Sequence, residues 1–445
     1  MNTANKVDTH QKALSLNLDP SVFGSFAEIG AGQEVARWFL QVGAASGTVA
    51  KTISAYDKEV SDDLYGAGTR YVSQERLHAM LEQEWKELLE QLQASRGANT
   101  KFISFVDTVS ARNFTGTNEC HGWIGLRFQQ TPGGPSNDVV LHVNLRDDSN
   151  LLQQAAVGVL GVNLIYAAYH NLTSVKEFQQ SLVEDLSLSR IEIDCMELSG
   201  PAFTGWDELI VHASLVTEGL AQAVVFPADG TIEPPTEVLY KRAVVMAPGT
   251  FDTTEKFHEE MIEDTIAHLP KEELAQSKGA IGLFSLTCAP GAKDKPGMSS
   301  TEVVAHVVAL RKLGSGVMVF RDLELYKMST FVNRFTKCRI HFAAGLSILV
   351  RAMQDPYEDL AGSMLEGIAR LFRLNVRLSV FPMSEADLKE WLKAVSVTGW
   401  EWQASDGVVH ASKLRPARPL DYLYQYLIAS RFIIPMPPTK DQPDA

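Results

Sequence analysis

The chain reads as a mixed α/β protein, an α+β mixture in two α/β domains with mixed sheets and a helical N-terminal segment. Three observations predict this. Segments with apolar residues at every second position interchange with segments spaced by three and four. The 445 residues exceed what one core organises. Apolar residues at 45% and charged residues at 21% supply large cores and leave little room for extended disorder.

Residues 1–20 read as a flexible leader closed by Asp19-Pro20. Gly24, Gly30 and Gly32 then punctuate a turn into a helix over 33–42, where Val35, Trp38, Phe39 and Val42 share a face. Helical spacing continues at 47–57 and at 73–95. In the last, Leu77, Met80, Leu81, Trp85, Leu88, Leu89 and Leu92 form one apolar stripe on a charged helix. The period then changes to two, predicting strands at 101–107, 122–128 and 138–145, with Thr131-Pro-Gly-Gly-Pro-Ser136 as the hairpin connection of the last two. Ser149 to Val175 carries no charged side chain. Gln153, Gln154, Asn163, His170 and Asn171 shorten its apolar run to about 15 residues, below the roughly 18 of a membrane span. It therefore reads as a buried helix, with Gly158 and Gly161 allowing close approach of a neighbour.

The stretch 190–197 alternates as a strand, with Ile191, Ile193 and Cys195 on one face and Glu192 and Asp194 on the other, solvated one. Further strands are expected at 208–217, 221–226 and 238–247, then a helix over 253–269 ended by Pro270. The uncharged run 280–287 reads as a strand buried on both faces. A loop over 289–297 precedes a helix capped at Ser299. A strand at 316–320, helices near 324–334 and 358–370, a strand at 374–381 and helices at 384–394 and 421–428 complete the pattern. The expected domains are 21–235 and 236–438, with 439–445 a disordered tail.

Composition excludes several function classes. A net charge of −14 without a basic run argues against nucleic acid and acidic membrane surfaces as partners. Four widely spaced cysteines, Cys120, Cys195, Cys288 and Cys338, contain no C-x-x-C pair and read as reduced thiols. Lys6 is followed by no apolar run of the signal-peptide kind. Together with the helical spacing, this argues for a cytosolic protein and against an outer-membrane barrel.

Candidate chemistry gathers at three places. At the first, Gly24, Ser25, Gly30 and Gly32 lead into the helix at 33, where free N–H groups could cradle a phosphate-sized anion. Gly43-Ala-Ala-Ser-Gly47-Thr-Val-Ala-Lys51 is not a P-loop, because three residues separate Gly47 from Lys51. Phe23-Gly-Ser-Phe-Ala-Glu-Ile-Gly-Ala-Gly-Gln-Glu-Val-Ala-Arg37 and Gly47-Thr-Val-Ala-Lys-Thr-Ile-Ser-Ala-Tyr-Asp57 resemble the signature of a poorly characterised family of cyanobacteria and proteobacteria. The resemblance continues through Cys120-His-Gly-Trp123, Gly161-Val-Asn-Leu-Ile-Tyr166, Arg190-Ile-Glu-Ile-Asp194 and Glu237-Val-Leu-Tyr240. Members of that family carry two transferred labels, nicotinate-nucleotide adenylyltransferase and TonB-dependent receptor.

At the second place, Gly249-Thr-Phe-Asp252, followed by His258, resembles the Gly-x-Phe-Asp-Pro-x-His segment of nucleotidyltransferases. That resemblance implies phosphate contacts from Gly249 and Thr250 and catalytic roles for Asp252 and His258, which would stabilise departing pyrophosphate. The chain departs from the motif at Thr253, where proline is expected, and lacks its first histidine. At the third place, Glu192 and Asp194 could hold Mg²⁺ together with phosphate oxygens. His121 and His142 accompany no nucleophile motif. The expected function is binding of an anionic small molecule, nucleotides included, with nucleotidyl transfer as the enzymatic form. The alternative is a non-catalytic assembly, scaffold or regulatory protein, a homo-oligomer among its forms, using helix 73–95 and the aromatic C-terminus as contact surfaces.

Overall fold

Val22–Ile29 is a strand, β1, although two of its residues lack apolar side chains and Gly24 interrupts it. It lies parallel to β2 (Val49–Ile53) on one side and to β3 (Lys101–Ser110) on the other. Beyond β3 the sheet continues antiparallel through β4 (His121–Gln129), β5 (Ser136–Leu145) and β6 (Ile191–Ser199), in the order β2-β1-β3-β4-β5-β6. This computed structural model describes residues 7–68, 70–251, 256–289 and 297–439. The chain divides into two units, Met1–Gln222 and Ala223–Ala445.

In the first unit, the stripe of the Gln74–Arg96 helix is buried. Leu77, Met80 and Leu81 pack with Ala27, Val106, Trp123 and Val140 of the sheet, so this part of the stripe is occupied by the unit's own core. Alternation along β3 sends Phe105 to the opposite face, where it meets the Asn150–His170 helix. Among the described residues this is the one helix long and apolar enough to cross a membrane, and 72% of its apolar window is buried within the structure. Gly161 gives the close approach expected of it: a Cβ there would stand 2.3 Å from Cγ2 of Val35 on the Glu34–Gln41 helix.

The described part of the leader contains regular structure. Thr9–Leu18 is a helix with a capping box at Asp8 and Gln11. Its Lys12 is buried, donating to Asn163 Oδ1 at 2.7 Å and pairing with Glu184. A buried lysine paired with a partly exposed carboxylate holds this segment, a feature that a hydrophobic stripe does not announce.

The second unit contains β7 (Ala223–Phe226), β8 (Ala243–Gly249), β9 (Ala280–Thr287), β10 (Gly316–Phe320), β11 (Ile340–Gly345), β12 (Val376–Phe381) and β16 (Ile433–Pro435). Their order is β16-β12-β11-β8-β9-β10-β7. All pairs are parallel except β10 with β7. Because β7 joins this sheet, the unit boundary falls at 222/223 and not at the expected 235/236. Between β12 and β16, a small antiparallel sheet is formed by β13 (Met383–Ser384), β14 (Trp400–Ser405) and β15 (Val408–Pro416). From β8 the chain lays β9 and β10 to one side, then returns to place β11, β12 and β16 on the other. That is the 3-2-1-4-5-6 order of doubly wound α/β domains.

Three expected elements differ. The segment 47–57 contains strand β2, and 208–217 is a helix, Glu208–Thr217, whose amino end is capped by Asp207. The strand expected at 238–247 begins later, at Ala243, after a short helix over Pro235–Val238.

Candidate functional site

In the first unit, the expected anion cradle is already filled. Gly24 and Ser25 lie inside β1, and the buried Ser25 Oγ sits 3.1 Å from Ser104 Oγ. Ser25 also lines a small pocket of about 180 Å³ with Lys51, Glu84, Glu87 and Arg96. Gly30 and Gly32 do form the turn into the helix, with φ of 97° and 81°. The N–H groups beyond them point at Glu28: Val35 donates to its Oε2 at 3.0 Å and Ala36 to its Oε1 at 2.9 Å. Glu28 is buried, so a protein carboxylate occupies the position expected for the ligand. Burial pushes its carboxyl up to about 7, against the hydrogen bonds from Ala36 and Val35. Asp107, its register partner on β3, is raised well above the usual carboxylate range by burial and by Glu28.

Glu192 and Asp194 do not face solvent, and both accept hydrogen bonds from protein donors. Asp194 accepts from Asn144 Nδ2 at 2.6 Å and lies 2.6 Å from His142 Nδ1. Glu192 accepts from the Gln222 N–H at 2.7 Å and from Arg146 at 3.2 Å. Both carboxylates are fully buried. Among the described residues, no group of three or more His, Cys, Asp or Glu side chains could hold a metal ion. Lys51 is paired with Glu84 and Glu87, in keeping with the rejection of a P-loop.

The second unit brings its predicted residues together. β8 delivers Gly249 to the carboxyl end of the sheet, and the Lys256–Ala267 helix places His258 in its first turn. Gly249, Thr250 and His258 line one crevice of about 400 Å³. Asp252 lies outside the described residues. Phe251 forms part of the wall with φ of 54°, an uncommon conformation for a bulky residue. Its ring meets His258 edge-on at 5.1 Å and covers Gly249, where a Cβ would lie 3.1 Å from Phe251 Cζ. The absent side chain of Gly249 thus seats an aromatic ring.

Other walls come from residues that no motif marked. Ser285 and Thr287 close β9, Leu323, Glu324 and Met328 follow β10, and Ser347, Arg351 and Asp355 follow β11. Ser285 is fully buried, and its Oγ has no hydrogen-bond partner among the described residues. Arg351 is exposed and has no ion-pair partner among them. Among the described residues, no side chain caps the amino end of the Leu346–Gln354 helix, whose first turn includes Ser347. The crevice therefore offers the Arg351 guanidinium, the open helix end and the hydroxyls of Ser285 and Ser347 for an anion. Glu324 and Asp355 add acceptors for hydroxyl groups. Burial raises the nearby Cys288 thiol to about 11, which leaves it a poor nucleophile.

No protein-family model and no curated protein matches the chain. Solved structures resemble part of it. The competence/damage inducible protein CihA from Agrobacterium tumefaciens is 17% identical, with 38% of this chain and 98% of that chain covered and a TM-score of 0.28. A competence-damaged protein (CinA) superfamily protein from Enterobacter cloacae is 11% identical over 38% and 95% of the two chains, with a TM-score of 0.28. One from Escherichia coli is 13% identical over 36% and 88%, with a TM-score of 0.24.

Proposed function

We propose that the second unit binds a small anionic molecule of the nucleotide class in the crevice beside Gly249, in a cytosolic protein. One observation carries this reading: the crevice opens at the carboxyl ends of β8, β9 and β11, where the strand order reverses. Doubly wound sheets bind ligands at that point because adjacent crossovers leave in opposite directions and cannot fill the gap between them. Arg351 and the open end of the Leu346–Gln354 helix would take the phosphate, while Glu324 or Asp355 would accept from sugar hydroxyls. Phe251 and Leu323 supply an apolar wall for a base. Nucleotidyl transfer is the enzymatic form of this proposal. It is favoured by the strand–glycine–helix setting of Gly249 and His258 and by the adenylyltransferase label of similar sequences.

The test is thermal melting of the full chain with a nucleotide panel including ATP and nicotinate mononucleotide, Mg²⁺ supplied. A ligand at 100 times its dissociation constant adds about 2.7 kcal/mol to stability. Pyrophosphate release from the same mixtures separates transfer from binding alone. Melting curves unmoved by every nucleotide would count against the proposal.

A further inference from the structure

Strand register sorts the walls of the crevice by face. Ser285 of β9 is directly opposite Pro248 of β8 and Met318 of β10, and Leu283, two residues earlier, is opposite Met246. Side chains alternate along a strand and register partners point the same way, so these residues share one face of the sheet. Leu283, Met246 and Met318 belong there to the core that includes Leu325 and Met328 of the Leu325–Phe335 helix. Ser285 is therefore a hydroxyl set in an apolar floor.

On chemistry alone both Ser285 and Ser347 could meet an anion; burial separates them. Ser347 is half-buried in the first turn of the Leu346–Gln354 helix, one turn ahead of the exposed Arg351. Ser285 is fully buried, and its Oγ has no hydrogen-bond partner among the described residues. A hydroxyl so placed costs free energy until something pairs with it. Thr287, next on the same face, is already used, for its hydroxyl donates to the Asp322 carbonyl at 3.2 Å. Arg351 is the one arginine or lysine among the described residues that line the crevice. A phosphate drawn down to Ser285 would leave that cation and lie buried without a partner charge, so the group that meets Ser285 is uncharged.

The sheet holds the two ends apart. β8 lies between β9 and β11, and the Leu346–Gln354 helix starts where β11 ends. At a strand spacing of about 4.8 Å, the helix start and Ser285 stand about 10 Å apart across the sheet. A lone phosphate does not span that distance, whereas a phosphorylated nucleoside does.

We infer that Ser285 reads the polar edge of the ligand's base, which enters the crevice first while the phosphate stays at the mouth with Arg351. This rests on the nucleotide reading, and adds to it the orientation of the ligand and the residue that recognises the base. A hydroxyl both donates and accepts, so it pairs with a ring nitrogen, an amino group or a carbonyl of that edge. Leu325 and Met328, which line the same crevice, flank the ring.

Calorimetric titration of AMP, GMP, CMP, UMP and ribose 5-phosphate into the full chain and into Ser285→Ala tests this. At least one nucleotide should bind the parent more tightly than ribose 5-phosphate, which has the phosphate and no base. Ser285→Ala should weaken that nucleotide roughly 3- to 10-fold, as for the loss of one neutral hydrogen bond, and leave ribose 5-phosphate unchanged. The melting temperature of the ligand-free variant should equal or exceed that of the parent, because no bond within the fold is lost. Three results would overturn the role of Ser285 and leave the nucleotide reading in place: a nucleotide affinity that the variant keeps, an equal loss for nucleotide and ribose 5-phosphate, or a parent that binds nucleotides no better than ribose 5-phosphate. Absence of binding by every nucleotide would overturn that reading itself, and the inference with it.

Discussion

Ala36 donates its backbone N–H to the Glu28 carboxylate at 2.9 Å, and the other oxygen of Glu28 takes the N–H of Val35 at 3.0 Å. The glycine turn that suggests a phosphate cradle therefore ends on an internal anion. Replacing Glu28 by alanine leaves two helix N–H groups buried and unpaired, and should cost about 2–4 kcal/mol of stability. Urea denaturation of the full chain measures this, and an unchanged midpoint would show that Glu28 is dispensable as a cap.

The pair formed by Glu28 and Asp107 makes stability depend on pH in a definite direction. Glu28 titrates near 7 in the fold against 4.5 ordinarily, and Asp107 is raised as well. Between those pH values the folded chain binds more protons than the unfolded chain, so this contribution is complete below about 4.5 and is lost as pH rises through about 7. Asp107→Asn should therefore gain stability relative to the parent between pH 4 and pH 8, by at most about 1.4 kcal/mol per pH unit for the proton removed. Parallel pH slopes for the two chains would contradict this.

Gly161 is where the Asn150–His170 helix comes closest to Val35. Gly161→Ala places a methyl group 2.3 Å from Val35 Cγ2 in a fully buried contact, and should destabilise by about 1–3 kcal/mol through overpacking. Gly43→Ala meets no atom within 4 Å but sits at φ of 93°, so it tests backbone strain without a clash. A Gly161→Ala chain as stable as the parent would mean that the two helices part easily.

How legible these features were follows from how each signals in sequence. The Gln74–Arg96 helix and strands β3, β4 and β5 carry clear periods, and the Asn150–His170 helix and β9 carry uncharged apolar runs of the right length, so all were readable. β1 was not, because Val22-Phe-Gly-Ser-Phe-Ala-Glu-Ile29 is covered on both faces and has no alternation, with Gly24 imitating a turn. Glu208–Thr217 is rich in β-branched residues, and only Asp207, which accepts from the Leu209 and Ile210 N–H groups, marked it as a helix. β11 and the helix after it merge into one apolar run from Ile340 to Val350, where period cannot separate strand from helix. Gly249, Thr250 and His258 were singled out by the resemblance of their segment to a nucleotidyltransferase motif. Arg351, Ser285 and Glu324 carry no local motif and meet Gly249 only through the strand order.

The Phe251 ring covers Gly249, so the glycine shapes the crevice wall indirectly. Gly249→Val should displace Phe251 and weaken nucleotide binding while also lowering the melting temperature. His258→Ala should spare the fold and lower any pyrophosphate release by roughly 10²–10³-fold if His258 stabilises the departing anion. Melting and turnover measured on the same preparations distinguish the two effects. A His258→Ala chain with undiminished turnover would remove His258 from the chemistry.

The central claim, an anion held at the strand-order reversal of the second unit, is tested most directly by calorimetric titration of nucleotides into the full chain and into Arg351→Ala. Arg351 is exposed and makes no ion pair among the described residues, so its loss should leave the fold intact. Removing one charge-assisted contact of about 1.5–3 kcal/mol should weaken binding roughly 10- to 100-fold. The account predicts saturable binding to the parent chain that Arg351→Ala weakens by that factor at an unchanged melting temperature. Equal affinities for the two chains, or no binding to either, would contradict it.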